Sequence, residues 1–151
     1  MAIEVQPAVS PMLTVSDGAA AIDFYVKAFD AEELGRVPAP DGKRLFHAAL
    51  RINGTMVMLN DDFPEMNDGK SVTPEALGGS PVTIHLTVAD VDAKFQKAID
   101  AGATVVMPLD DMFWGDRYGE LRDPFGHMWS LGQRMREVSQ EEIDNAVKQM
   151  Q

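Results

Sequence analysis

Cysteine, long apolar runs and a basic leader are all missing from this 151-residue chain. The lack of cysteine excludes a disulfide framework and thiolate chemistry, and it fits a cytoplasmic protein. No stretch approaches the roughly 18 consecutive apolar residues of a membrane-spanning helix, so we predict no membrane segment. The first residues, Met1 to Pro7, contain neither a basic region nor a long apolar run, and we therefore predict no signal peptide.

Positive charge is also scarce. The chain has 13 Lys and Arg against 24 Asp and Glu, which gives a net charge of −11. Nucleic acids and anionic membranes bind basic surfaces, so this balance argues against both as partners. Apolar residues make up 45% of the chain, which is enough to bury a core, and the length suits one domain.

The first part of the chain predicts a strand, a helix and three further strands. Ser16 and Asp17 offer an N-cap after a short apolar run. The apolar residues that follow recur at i, i+3, i+4 and i+7, as on one face of a helix. The Asn53-Gly54 pair indicates a hairpin between the last two strands. The predicted strands cover residues 11–15, 33–37, 44–52 and 55–60, and the helical stripe consists of Ile22, Tyr25, Val26 and Phe29.

The same order of elements follows a polar linker at residues 61–80. Asp90 is the predicted N-cap of the second helix, and Gly102 is placed to end that helix. A loop is predicted from Pro108 to Asp116. The predicted strands cover residues 82–88, 104–107, 118–122 and 127–131, and the helical stripe consists of Val91, Phe95, Ala98 and Ile99.

An internal repeat fixes the architecture. Residues 13–17 match residues 86–90, and residues 54–59 match residues 126–131. We therefore predict an α+β fold of two βαβββ modules that form a paired, cleft-enclosing mixed sheet. We expect a single domain over residues 1–151, with module one at about 8–60 and module two at 81–133. A capping box of Ser139 and Glu142 predicts a C-terminal helix at 139–150, which packs on the domain or on a second subunit.

Three segments resemble the vicinal oxygen chelate superfamily of glyoxalases and bleomycin-resistance proteins. They run from Leu13 through Tyr25, from His85 to Ala93, and from Asp123 to His127. Residues 113–119 and 122–127 resemble its PhnB-like branch more closely. The resemblance covers about residues 9 to 135. It implies the fold, but its members include metal-dependent lyases and isomerases, ring-cleaving dioxygenases, thiol transferases acting on fosfomycin, and non-catalytic drug-binding proteins.

The resemblance also implies four metal-ligand positions, which in catalytic members are typically occupied by His, Gln or Glu. In this sequence those positions are Ser10, Met58, Thr83 and Ser130. Hydroxyls and a thioether are poor ligands for Zn²⁺, Mg²⁺, Mn²⁺ or Fe²⁺. We therefore expect no metal at these four positions and no cofactor.

Period-two alternation predicts which side chains face the cleft. On the strand at 44–52 it turns Phe46, Ala48, Leu50 and Ile52 towards the helix and His47, Ala49 and Arg51 away from it. On the strand at 82–88 it turns Ile84, Leu86 and Val88 towards the helix. The predicted ligand-binding residues, including two from the loop before residue 118, are Met12, Met58, Thr83, His85, Trp114, Arg117, Tyr118, Glu120, Met128 and Ser130.

His47, His85 and Glu120 are the candidate catalytic residues, either as a displaced 2-His-1-carboxylate metal site or as acid–base groups. The alternative is that both histidines are hydrogen-bonding residues of a polar pocket. His127 is predicted to have a structural role in the turn that precedes the last strand of module two. Trp114 is either a core residue or part of a lid over the cleft, and Arg117 is either a ligand contact or half of a loop salt bridge.

Three classes of function remain open. The first is a metal-free binding protein for a small organic molecule with an apolar body and one or two hydrogen-bonding ends. The second is a metal-dependent lyase, isomerase or dioxygenase-type enzyme with a displaced site. The third is a non-catalytic interaction subunit. The open sheet faces and the extra C-terminal helix predict a homodimer.

Overall fold

The computed structural model describes residues 9–151, so the predictions for Met1 to Pro7 lie outside the described residues. Five elements form module one. They are β1 (Met12–Val15), α1 (Gly18–Phe29), β2 (Glu32–Pro38), β3 (Leu45–Ile52) and β4 (Thr55–Asp61).

A short 3₁₀ turn at Pro64–Met66 and helix α2 (Pro74–Leu77) lie in the segment that separates the modules. Module two then repeats the order of module one. Its elements are β5 (Thr83–Thr87), α3 (Val91–Ala101), β6 (Thr104–Asp111), β7 (Asp116–Arg122) and β8 (Met128–Arg134), and helix α4 (Gln140–Lys148) follows.

Each module forms its own four-stranded mixed sheet. The first sheet has the order β1-β4-β3-β2 and the second the order β5-β8-β7-β6. In both sheets the first strand of the module pairs in parallel with the last strand, and the other pairs are antiparallel. The α+β class and the repeated βαβββ order predicted from the sequence are confirmed.

Helix boundaries follow the capping residues that the sequence predicted. The Asp17 side chain accepts a hydrogen bond from the Ala20 amide at the start of α1, and Asp90 accepts one from the Ala93 amide at the start of α3. Helix α3 ends at Gly102, whose φ of 125° suits a residue without a Cβ.

Two predictions about the strands are wrong. Leu45 rather than Phe46 is buried, and Phe46 is exposed beside Phe63, because the pairing register shifts between Val37 and Pro38 on the neighbouring strand. Such a bulge reverses the inward-outward alternation. Strand β6 also continues through Pro108 to Asp111, where the sequence predicted a loop. Proline is tolerated there because β6 is the outer strand and its register is shifted at that point.

The two modules share one hydrophobic core, and their helices α1 and α3 pack against each other. Tyr25 and Phe29 of α1 lie against Trp129 of β8, with ring centroids 5.4 Å and 4.6 Å away, respectively. Trp129 has no exposed surface. The helix-covered faces of both sheets therefore meet inside one chain, whereas the opposite face of each sheet carries no helix.

Asp123 is a buried polar centre between the modules. One carboxylate oxygen accepts hydrogen bonds from the Tyr25 hydroxyl at 2.5 Å and from the Trp129 indole at 2.9 Å. The other accepts from the backbone amides of Phe125 and His127. A buried carboxylate is tolerated when hydrogen bonds replace its water, and here four donors do so.

Two side chains also join the strand edges of the modules. Asn53, in the turn between β3 and β4, donates to the Thr87 carbonyl of β5 at 2.8 Å. His127, before β8, contacts the Thr14 carbonyl of β1 through Nε2 at 2.8 Å. A carbonyl only accepts, so Nε2 carries the proton. His127 therefore links the modules, a role that the prediction of a turn residue did not include.

Helix α4 begins at its predicted cap, where Ser139 accepts from the Glu142 amide, but none of its residues is buried. Its apolar residues Ile143, Ala146 and Val147 remain half-buried or exposed. Within residues 9–151, no helix has the length and hydropathy needed to cross a membrane.

Candidate functional site

The face of the second sheet opposite α3 carries most of the predicted site residues, in three rows across β5, β8 and β7. We call this surface the open face. Strand pairing places Thr83, Met128 and Arg122 in the first row, His85, Ser130 and Glu120 in the second, and Thr87, Gly132 and Tyr118 in the third. The alternation predicted for β5 is confirmed, because Leu86 is buried while Thr83, His85 and Thr87 are exposed.

His85 and Ser130 are joined in the second row. His85 Nδ1 and the Ser130 hydroxyl share a hydrogen bond of 2.8 Å. Ser130 is only 2% exposed, so its hydroxyl orients the imidazole ring instead of meeting a ligand itself. With Nδ1 engaged, Nε2 is the ring nitrogen of His85 that can donate to a ligand or accept from one.

Tyr118 connects the second and third rows. Its hydroxyl donates to Glu120 Oε1 at 2.9 Å, and its ring stacks beside His85 with centroids 5.8 Å apart. Burial raises the pKa of Tyr118, the Glu120 carboxylate raises it further, and the Ser130 hydroxyl partly opposes the shift. The hydroxyl therefore stays protonated at neutral pH.

Gly132 leaves the space in which these rings lie. A Cβ at this position would come within 3.0 Å of His85 Cε1, 3.4 Å of His85 Nε2 and 3.7 Å of Tyr118 Cδ2. The first distance is shorter than ordinary van der Waals contact, and the other two lie within its range. A glycine in β8 thus lets the rings of His85 and Tyr118 lie against the strand backbone, which is a known use of glycine inside a strand.

Trp114 lies beside Tyr118, at the end of the open face away from the first row. Its ring meets Tyr118 edge-on at 5.8 Å, and its indole nitrogen donates to Asp116 Oδ2 at 3.1 Å. Trp114 is half-buried. Trp114 is therefore not a fully buried core residue, and its role as a lid stays a prediction.

A cavity of about 300 Å³ lies at the seam between the modules. We call it the seam cavity. Its walls include Met12 and Leu13 of β1, Val82 and Ile84 at β5, and His127 and Met128 at β8. Met12 and Met128 were predicted to line a ligand site, and both lie here. Because Met128 belongs also to the first row of the open face, the seam cavity and the polar rows are neighbours.

Some predicted residues lie elsewhere. Arg117 forms ion pairs with Asp92 and Asp111 on the helix side of the sheet, so it is not part of the cluster around Tyr118. His47 and Met58 lie on β3 and β4 of the first sheet. Among residues 9–151 no group of three or more His, Asp or Glu side chains could hold a metal ion, so one chain does not assemble His47, His85 and Glu120 as a displaced site.

The four positions that the resemblance implied for a metal carry side chains that are weak metal ligands. Ser130 is buried and bonded to His85, and Met58 offers only a thioether. Ser10 and Thr83 add neutral hydroxyls. Tightly held Zn²⁺, Mn²⁺ or Fe²⁺ is bound through carboxylate, imidazole or thiolate donors, and this set supplies none of them. The residues present therefore do not fit the metal that the resemblance implied.

Tyr25 and Tyr118 are the two tyrosines of the chain, and the pKa of each is raised by its surroundings. Their titration therefore tests the described positions of both side chains. Burial raises the pKa of Tyr25 well above its ordinary value of 10.0, and the neighbouring Asp123 carboxylate adds to the shift. The unfolded chain releases these protons near pH ~10 while the folded chain retains them, so the tyrosine contribution to stability should be fully present below that pH and be lost above it. Phenolate absorbance and urea unfolding against pH would measure both effects, and Tyr25→Phe should reduce the slope.

The sequence and the fold agree on the family. The family model of the Glyoxalase/Bleomycin resistance protein/Dioxygenase superfamily matches residues 8–131, and the chain belongs to this superfamily. Mb0911c, an uncharacterised protein of Mycobacterium bovis, is 71% identical over 147 residues, covering 97% of this chain and 96% of that protein.

Solved structures give the same result. TioX from Micromonospora sp. ML1 is 32% identical, with a TM-score of 0.66 over 85% of this chain and 99% of TioX. The PhnB protein from Bacillus cereus is 21% identical, with a TM-score of 0.64 over 84% of this chain and 99% of that one. At that identity the likeness to PhnB concerns the fold, and it agrees with the PhnB-like resemblance of the sequence.

Proposed function

We propose that the protein binds a small organic molecule without the metal of the catalytic relatives. The apolar body of the molecule would enter the seam cavity, and its polar end would reach His85, Tyr118 and Glu120. The observation that carries this proposal is the continuity of an apolar cavity with a row of oriented polar groups, through Met128. Binding sites for small molecules commonly combine a mostly apolar wall with a few placed polar groups.

The spacing of the rows indicates the size of the molecule. Alternate residues along a strand are about 6.8 Å apart, so the first and third rows are separated by roughly 14 Å. A ligand that spans this distance has two rings or their equivalent. Methionine is flexible and polarizable, so Met12 and Met128 can adapt to flat or irregular apolar groups.

The proposal can be tested with three two-ring probes that differ only in their polar end. They are para-phenylbenzylamine, para-phenylbenzyl alcohol and para-phenylbenzoic acid. We expect at least one of them to raise the melting temperature and change the fluorescence of Trp114, because a ligand that binds only the folded form stabilises it. Trp114→Phe should remove the fluorescence change, since the remaining tryptophan, Trp129, is fully buried in the core. If none of the three probes changes the melting temperature at saturating concentration, the proposal is contradicted.

We propose further that the chain forms a homodimer. In one chain the sheet faces without a helix leave apolar side chains uncovered, among them Met12 at 57% and Met56 at 44% exposed. Helix α4 adds apolar residues, none of which is buried. Exposed apolar surface of this kind is typical of interfaces. Sedimentation at micromolar concentration should give the mass of a dimer, and a strict monomer would contradict this prediction.

Metal analysis should find no tightly held divalent ion. Protein purified without chelator is the sample, and the elements to measure are Zn, Mn, Fe and Ni. The physical reason is the donor set of Ser10, Met58, Thr83 and Ser130, which lacks a strong anionic or imidazole ligand. One equivalent of metal per chain would contradict the prediction, and the His47→Ala, His85→Ala double variant would show whether the histidines bind it.

We infer that the protein works in the cytoplasm and has neither nucleic acid nor membrane as a partner. The absence of cysteine and the net charge of −11 support this inference.

A further inference from the structure

We propose that the polar end of the ligand is cationic, a protonated amine or a comparable group held beside Tyr118. This inference rests on the proposed function, since it names the chemical class of the molecule bound at the same site. It comes from the charges and rings around Tyr118.

Two carboxylates flank Tyr118 on the open face. Glu120 accepts the Tyr118 hydroxyl through Oε1, which leaves Oε2 for another donor. Asp110 is the partner of Tyr118 on β6. Its Oδ1 accepts the Asp111 amide, so Oδ2 is the second free oxygen. Leu109, the neighbour of Asp110, packs against the core, which places Asp110 on the opposite, open side of the strand.

The arginines of this region are paired with other carboxylates or lie at the far end, and Arg134, in the row next to Tyr118 on the open face, belongs to the paired group. Arg134 pairs with Asp116 at 2.8 Å, and Arg117 pairs with Asp92 and Asp111 on the helix side. Arg122 stands in the first row, and its guanidinium forms no ion pair with Glu120. Among residues 9–151, Asp110 and Glu120 therefore have no cationic side chain as a partner, and a cation from the ligand would supply one.

Aromatic rings complete the recognition of a cation. Trp114 and Tyr118 meet edge-on at 5.8 Å, and Phe113 lies edge-on to Trp114 at 5.1 Å. A cation over the face of an aromatic ring is attracted by the ring quadrupole, most strongly by tryptophan. The net charge of −11 also favours the approach of a cation over that of an anion. The aromatic rings, the Tyr118 hydroxyl and the two carboxylates therefore all favour a cationic group on the ligand.

The three biphenyl probes test this inference. We expect para-phenylbenzylamine, protonated at neutral pH, to bind about tenfold or more tightly than the alcohol, and the acid to bind most weakly. Raising the salt concentration should reduce the advantage of the amine. Amine and alcohol binding with equal affinity would overturn the inference while the proposed function stands. If none of the three probes binds, the proposed function itself fails.

Two isosteric variants test whether the preference for the amine comes from the Glu120 carboxylate. Glu120→Gln removes the carboxylate charge beside Tyr118 and keeps its shape. Glu137→Gln, at an exposed position, changes net charge by the same amount and is the control. We expect Glu120→Gln to weaken the amine about tenfold and the alcohol little, and the control to leave both unchanged. Equal loss for amine and alcohol would mean that Glu120 only positions Tyr118, and the cationic preference would be wrong.

Discussion

Replacing Asp123 with alanine should destabilise the fold by roughly 3–5 kcal/mol, the range for breaking a buried network of polar groups. Four donors lose their acceptor at once: the Tyr25 hydroxyl, the Trp129 indole and the amides of Phe125 and His127. Each buried group left without a partner costs about 1–3 kcal/mol, although relaxation and water entry reduce the sum. Urea unfolding followed by Trp129 fluorescence would measure the change.

Two variants accompany this experiment. Tyr25→Phe removes one donor without leaving a buried charge unsatisfied, and it should cost about 1.5–3 kcal/mol, as expected for a hydrogen bond to a charged group. Asp23→Ala removes an exposed carboxylate from α1 and should change stability by no more than about 0.5 kcal/mol. A loss at Asp123→Ala no larger than that at Asp23→Ala would show that Asp123 does not hold the modules together.

Replacing Gly132 with alanine should abolish most probe binding and leave the fold intact. The added Cβ meets His85 Cε1 at 3.0 Å, so the imidazole must move off the backbone and lose its alignment with Ser130 and Tyr118. The loss of affinity should be about tenfold or greater for any probe that the wild-type protein binds. Titration of Trp114 fluorescence, with the melting temperature of the free protein, separates binding from stability.

Gly35 in β2 provides the matched control. A Cβ there would meet no atom within 4 Å, and neither Gly35 nor Gly132 has a positive φ. Gly35→Ala and Gly132→Ala therefore make the same chemical change in a strand, and only one of them crowds the site. Unchanged affinity in Gly132→Ala would mean that a ligand does not use the rings of His85 and Tyr118 as they lie in the structure.

Features that depend on nearby residues could be predicted from the sequence. Asp17, Asp90 and Gly102 define helix ends through local hydrogen bonds and backbone conformation, and the structure places them as predicted. The repeat of module one in module two was visible because both copies keep the same caps and apolar spacing. Alternation also placed His85 and Tyr118 on one face.

Features that depend on register across strands could not be predicted in this way. A bulge between β2 and β3 reversed the face of Phe46, and no local signal in β3 marks it. The sequence did not identify Gly132 or Asp110 as part of the site. Strand pairing shows that both lie opposite Tyr118. Alternation along β7 could have separated Arg117 from Tyr118, because adjacent residues of a strand point to opposite faces.

The contacts of Asn53 and His127 have a consequence for the behaviour of the protein at high concentration. Strands β1 and β5 are the inner edges of their sheets, and free carbonyls on such edges can recruit strands from other molecules. Asn53 occupies the Thr87 carbonyl, and His127 occupies that of Thr14. Each module thereby blocks part of the other's edge with a side chain, which favours a soluble protein over edge-to-edge aggregation.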